Sequence, residues 1–248
     1  MTINRRLFSC LAAGACFAPG FSRAQANGAP TVVELFTSQG CSSCPPADAL
    51  MVELAKEPGM IPLTFPVTIW DYLGWRDTLA RPEFTRRQKA YASSVAGKRV
   101  YTPQAIVNGG ASCVGSDFSA IVKLKGTTRP AGETRVSIER SDDGWLVSAQ
   151  IGTNAEHAHL LILPLSSRET VPIGRGENSG RTITYANVVR AIRDLGEVKP
   201  GRRQVPVRRA DMAEEQADGF AVLIQSGGSD APGTILAAAM ISPDGTKA

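Results

Sequence analysis

The chain has 248 residues, a formal net charge of +4, 43% hydrophobic and 20% charged residues. That length is enough to bury a full core, as one large domain or two small ones. Arg5, Arg6 and Arg23 fall within the first 26 residues, which hold no acid, so removing those three cations leaves +1. A nearly neutral chain argues against a nucleic-acid partner or an acidic membrane surface.

Residues 1–26 predict an export signal. Arg5-Arg6 is a short basic region, Leu7 to Phe17 is apolar, and Ala24-Gln25-Ala26 offers a cleavage site before Asn27. The apolar run is shorter than the roughly 20 residues that cross a bilayer. Arg5-Arg6-Leu7-Phe8 fits a twin-arginine signal as well as an ordinary one. Ala13-Gly14-Ala15 lacks the leucine expected before a lipid-anchored Cys16. The expectation is an exported protein, periplasmic or secreted, with no membrane span in the mature chain. Cleavage removes Cys10 and Cys16 and leaves Cys41, Cys44 and Cys113, one close pair and one left over.

Thr31 to Phe36 reads as a buried strand and Ser43 to Lys56 as a helix, with Pro45 and Pro46 in its tolerant first turn. Ile61 to Ile69 is a second strand and Pro82 to Ala96 a second helix. Gln104 to Asn108 and Ala111 to Gly115 flank the turn signal Asn108-Gly109-Gly110, and Phe118 to Lys125 closes with a helix. This β-α-β-α-β-β-α order puts helices on a central mixed sheet. From Gly126 the texture changes to a linker-like stretch. Short β-like runs follow at Thr134–Glu139, Trp145–Ile151, Ala158–Pro164, Val205–Arg208, Gly219–Gln225 and Thr234–Ile241, as in a sandwich. Tyr185 to Leu195 suits a helix or a strand equally. The prediction is an α/β domain over 30–128 and a β-rich, sandwich-like domain over 129–248.

Chemistry concentrates at Cys41-Ser42-Ser43-Cys44, between the first strand and the first helix. The thiolate is the reactive form of cysteine, and a helix N-terminus favours negative charge. Cysteines at i and i+3 can close a disulfide across the first turn. Cys41 is then the attacking thiol and Cys44 the shielded, resolving thiol, with exchange running through a mixed disulfide. Ser42 and Ser43 offer hydrogen bonds toward the thiolate. A structural disulfide or half of a zinc site remain alternatives, although zinc needs about two more ligands and the histidines, His157 and His159, lie far along the chain.

Glu34 sits inside the first apolar strand, where a carboxylate is expensive unless neutral or paired. It either relays protons to Cys44 from beneath the pair or faces solvent. Trp70-Asp71-Tyr72-Leu73-Gly74-Trp75-Arg76-Asp77 is aromatic and charged together. It either walls a partner-binding cleft with Trp70 and Trp75 or packs as a loop. His157, His159 and Glu156 suggest a metal less than a polar strand face. Gly174-Arg175-Gly176-Glu177-Asn178-Ser179-Gly180-Arg181 lacks a P-loop lysine and reads as a connecting loop whose arginines pair with Glu177. Cys113 reads as a buried free thiol.

Cys41 to Cys44, Pro103 and the acid at Glu34 resemble the thioredoxin superfamily. More closely, Val33 to Asp48, Trp70 to Trp75, Tyr101-Thr102-Pro103-Gln104 and Gly174 to Asn178 resemble an exported bacterial thioredoxin-like family catalogued as a domain of unknown function. The resemblance implies a cis bond before Pro103, with Thr102 presenting its backbone to an extended substrate; a trans proline opening a strand is the alternative. The thiol–disulfide reading expects protein thiols or disulfides as partners, with a membrane reductase or oxidant behind them, and no cofactor or metal. Gly40 departs from the aromatic residue usual before the first cysteine. The 62-residue spacing from Cys41 to Pro103 leaves room for an insertion around Trp70 to Arg86. The expectation is thiol–disulfide exchange at a specialised site, against a binding protein that keeps the scaffold with a static disulfide.

Overall fold

The run from Thr31 to Thr37 forms β1, buried at all seven positions. A strand apolar on both faces belongs in a sheet interior. β1 pairs in parallel with β2 (Met60–Pro66) and antiparallel with β3 (Gln104–Val107). The turn at Asn108 and Gly109, with φ of 48° and 64°, carries β3 into β4 (Ala111–Val114). The computed structural model describes residues 29–242 apart from 96, 98, 129–131, 154, 215 and 229. The export-signal expectation for residues 1–26 lies outside the described residues.

Alternate side chains of a strand point to opposite faces. Val33 and Leu35 pack with Ala47, Met51 and Leu54 of α1 (Pro45–Leu54) and Ile121 of α3 (Phe118–Thr127). Val32 and Phe36 pack with Phe84 and Tyr91 of α2 (Pro82–Ser94) on the other face. The first seven predicted elements therefore form in the predicted order, with helices on both faces of the sheet.

The later strands do not form a sandwich of their own. β7 (Ala158–Pro172), β8 (Thr182–Val189), β11 (Gly219–Ser226) and β12 (Ile235–Ile241) extend the first sheet in the order β12-β11-β7-β8-β2-β1-β3-β4, with β9 (Arg193–Glu197) beside β7. The seam is narrow: β2 meets β8 at Thr64 and Val188. Side chains secure it, since the Thr64 hydroxyl donates to the Ala186 carbonyl at 2.7 Å and Asn187 Nδ2 donates to the Pro62 carbonyl at 2.9 Å. The expected boundary at residue 128 falls at the end of α3, yet one sheet crosses it.

The sandwich expectation holds locally. β5 (Arg135–Ser141), β6 (Gly144–Ile151) and β10 (Gly201–Arg208) form a separate three-stranded sheet. Its Ile138, Val147 and Val207 face Leu160, Phe220, Val222, Ile224 and Ala239 of the large sheet. The intervening Leu161, Leu163, Ala221 and Leu223 point the other way, into the α2 core. The undecided stretch 185–195 is strand, in β8 and β9, and a short α4 (Arg209–Glu214) was not anticipated.

Candidate functional site

The pair forms where β1 hands over to α1. The Cys41 N–H donates to the Ser38 carbonyl at 3.1 Å, and the Cys44 N–H donates to the Cys41 carbonyl at 3.2 Å. Cys44 stands at the N-cap, with Pro45 and Pro46 in the first turn. The two cysteines are joined by a disulfide with Cα atoms 5.4 Å apart. Cys44 is fully buried and Cys41 is 5% exposed, while Ser42 and Ser43 between them face solvent. The Ser43 hydroxyl lies 3.4 Å from Cys41 Sγ.

Pro103 follows a cis bond from Thr102 and sits beside this turn. Gly115 links the two, because a Cβ there would approach Pro103 Cβ at 3.2 Å and Ala47 Cβ at 3.3 Å. Trp70 Nε1 donates to Thr102 Oγ1 at 2.7 Å. Trp70 also explains the departure at Gly40, since a side chain at 40 would meet Trp70 Cβ at 3.1 Å. Trp75 Nε1 donates to Gln39 Oε1 at 2.8 Å. Cys41, Cys44, Thr102, Pro103, Trp70 and Trp75 are thus brought into one neighbourhood. Tyr72, 75% exposed, stacks at 6.4 Å from Trp70 and marks the outer rim.

Glu34 is not part of it. Even-numbered β1 residues face α2, so Glu34 lies across the sheet from α1. It is fully buried, accepting from Arg87 Nε at 2.8 Å and from the Tyr91 hydroxyl. Gln225 completes the network through Arg87 at 2.8 Å and Tyr91 at 2.6 Å. Glu34 therefore belongs to a structural ion pair and faces neither Cys44 nor solvent. The proton-relay expectation fails on strand parity.

A different acid lies on the α1 face. Asp48, one helical turn beyond Cys44, is buried and donates its N–H to the Cys44 carbonyl at 3.1 Å. Its Oδ1 accepts from the Thr37 hydroxyl at 2.7 Å, while Oδ2 has no hydrogen-bond partner among the described residues. Burial pushes its pKa up to about 8, opposed by the Thr37 bond and assisted by the nearby Asp77 charge. Burial also raises Asp77 to about 6 against three backbone N–H donors, those of Gln39, Leu79 and Ala80. Tyr185, whose buried hydroxyl is likewise unpartnered among the described residues, is raised by burial and then by both aspartates.

The glycine-rich loop reaches the pair from far along the chain. Asn178, fully buried, donates through Nδ2 to the carbonyls of Gln39 at 2.9 Å and Cys41 at 2.8 Å. Glu177 Oε2 accepts from the Ser42 N–H at 3.2 Å instead of pairing with a loop arginine. Gly176, at φ +78°, lets the loop lie on Trp75, where a Cβ would stand 3.2 Å from Trp75 Cβ.

The family described as "Protein of unknown function (DUF1223)" matches residues 32–225. The chain belongs to that family. A solved structure of an Agrobacterium tumefaciens protein, determined by a structural genomics consortium, is similar at 30% identity and a TM-score of 0.74. The match covers 88% of this chain and 96% of that one. The structure of "HBP35 of Porphyromonas gingivalis" shares the fold at a TM-score of 0.57 and 12% identity, over 88% of this chain and 76% of that one. A comparison with curated proteins returns no match.

Within this DUF1223 site, sequence reasoning missed Asp48, Asp77, Asn178 and the role of Glu177. A signal for Asp48 was present, an acid four residues after Cys44 on the apolar side of α1. Residues 177 and 178 fell within a stretch marked by the family resemblance, but nothing in the sequence placed them against Cys41 and Cys44, more than 130 positions earlier. His157 and His159 do not gather ligands. They pair separately with Glu197 at 3.1 Å and Asp194 at 2.9 Å, and among the described residues no three metal-binding side chains cluster. Cys113 is a half-buried free thiol on β4, raised by burial to about 11.

Proposed function

We propose that this DUF1223 chain is an exported thiol–disulfide oxidoreductase with a thioredoxin-like site, exchanging its Cys41–Cys44 disulfide with protein thiols or disulfides. The observation that carries it is the placement of that disulfide at the mouth of α1, with Cys44 buried one helical turn before Asp48, whose carboxyl is half-satisfied. A buried carboxyl whose pKa rises toward neutrality suits proton transfer near pH 7.

In the exchange, Cys41 is the thiol that forms a mixed disulfide, and Cys44 attacks Cys41 Sγ to release the partner. The ionised fraction of Asp48 accepts the Cys44 proton as that thiol becomes a nucleophile. Thr102 and Pro103 flank the approach to the sulfurs, and Trp70 fixes Thr102 through its indole hydrogen bond. Trp75 holds Gln39, two residues before Cys41. A membrane reductase or oxidant recycles the pair. No helix among the described residues is long and apolar enough to cross a membrane.

The competing reading is a binding protein with a static disulfide, and the near-complete burial of Cys41 favours it. A Cys44→Ala variant separates the two. Exchange predicts that Cys41 forms a stable mixed disulfide with a model protein disulfide such as reduced-and-reoxidised insulin. A Cys41 that stays unreacted in folded protein contradicts the proposal.

A further inference from the structure

Three features remove backbone donors that an α1 N-terminus ordinarily supplies to a thiolate, leaving the Ser43 hydroxyl 3.4 Å from Cys41 Sγ. Pro45 and Pro46 have no N–H. The Cys44 N–H is spent on the Cys41 carbonyl. The Ser42 N–H is occupied by the Glu177 carboxylate at 3.2 Å. That carboxylate sits on the backbone N–H of the residue next to Cys41. Its position is fixed on both sides, by Gly176 lying on Trp75 and by the two hydrogen bonds from buried Asn178.

We propose that Glu177 is a positioning residue that poises the Cys41–Cys44 pair as an electron donor to protein disulfides. The proposal rests on the thiol–disulfide reading above. A disulfide becomes a strong oxidant when its reduced form is stabilised. Glu177 does the reverse: it repels the Cys41 thiolate, weakens the reduced form and makes the pair more reducing. In the forward step the Cys41 thiolate attacks one sulfur of a substrate disulfide. The Cys41–substrate bond forms, the substrate S–S bond breaks, and one substrate thiolate leaves. Cys44 then gives up its proton to Asp48, from which it passes to that leaving thiolate, and attacks Cys41 Sγ. The intramolecular disulfide closes and the second substrate thiolate departs. The pair loses two electrons and the substrate gains two; a protein dithiol restores the reduced pair by the reverse exchange.

The test is the equilibrium of wild type, E177Q and E177D with glutathione redox buffers, read by alkylation and mass, together with the Cys41 thiol pKa. E177Q should lower the thiol pKa and favour the reduced pair about fivefold to tenfold, an upward shift of about 20–30 mV for this two-electron couple. E177D, which keeps the charge, should stay near wild type. The difference between wild type and E177Q should shrink as salt is raised, because Glu177 is exposed. An E177Q potential equal to or below wild type, in a pair that exchanges reversibly, overturns the role of Glu177 alone. A wild-type pair that never equilibrates with the buffers overturns the oxidoreductase reading itself.

Discussion

The two faces of β1 each bury an acid, and they treat it in opposite ways. On the α2 face, Glu34 is closed into a network with Arg87, Tyr91 and Gln225, each carboxylate oxygen receiving a donor. On the α1 face, Asp48 has one oxygen bonded to Thr37 and the other without a partner among the described residues, with Asp77 close enough to raise it and Tyr185 raised in turn by both aspartates. A buried charge that is fully paired specifies architecture, because either partner alone is costly. A buried carboxyl that is half-satisfied keeps its proton to unusually high pH and is available for chemistry. The disulfide lies on the half-satisfied side.

Breaking the paired side should have the largest effect. Arg87→Ala leaves Glu34 buried and uncompensated and should lower stability by about 3–5 kcal/mol in urea unfolding, with the redox potential of any folded protein unchanged. A loss below about 1 kcal/mol would show that the network is not what joins α2 and β11 to β1. Crowding the other side comes next. Gly115→Ala places a methyl against Pro103, Ala47 and Leu35, and should cost about 1–3 kcal/mol while slowing exchange.

Asn178→Ala strips the carbonyls of Gln39 and Cys41 of their buried donor. A loss of about 1–3 kcal/mol is expected, with faster reduction of the disulfide by a small thiol in stopped-flow measurements. Unchanged reduction kinetics would mean that the loop does not control access. The last test is the pH dependence of Asp48. Its folded pKa of about 8 lies above the unfolded 3.8, so the folded state binds the proton more tightly. That stability is fully present below pH 3.8 and is lost as pH rises through about 8. Between those values stability declines with rising pH on account of this one group. Asp48→Asn should flatten that decline in denaturation curves from pH 4 to 8, and an unaltered slope would place the titration elsewhere.

The first half of the fold was legible because its signals are local. The apolar run at Thr31, the Pro-Pro helix start and the Asn108-Gly109 turn each dictate their own conformation. The second half was legible as strands but not as an arrangement. β7 runs on through polar Ser166 to Pro172, which reads as loop because it alternates half-buried and exposed residues and is held as strand by its pairing with β8. The β2–β8 seam rests on Thr64 and Asn187, two polar residues with no periodic signature. The same limit applies at the site. Cys41 and Cys44 announce themselves by spacing and Thr102 and Pro103 by the family resemblance, whereas Glu34 is misread because only register shows which face a strand residue takes. Glu177 and Asn178 become visible when the chain returns to them.

The central claim is that Cys41 and Cys44 exchange electrons in the folded protein. Its most direct test is the reduction potential of the pair, measured against glutathione buffers with alkylation and mass detection. A single two-electron transition between roughly −300 and −200 mV, absent in Cys41→Ala, is the predicted result. A disulfide that stays closed to well below about −300 mV is structural, and that result would contradict the account.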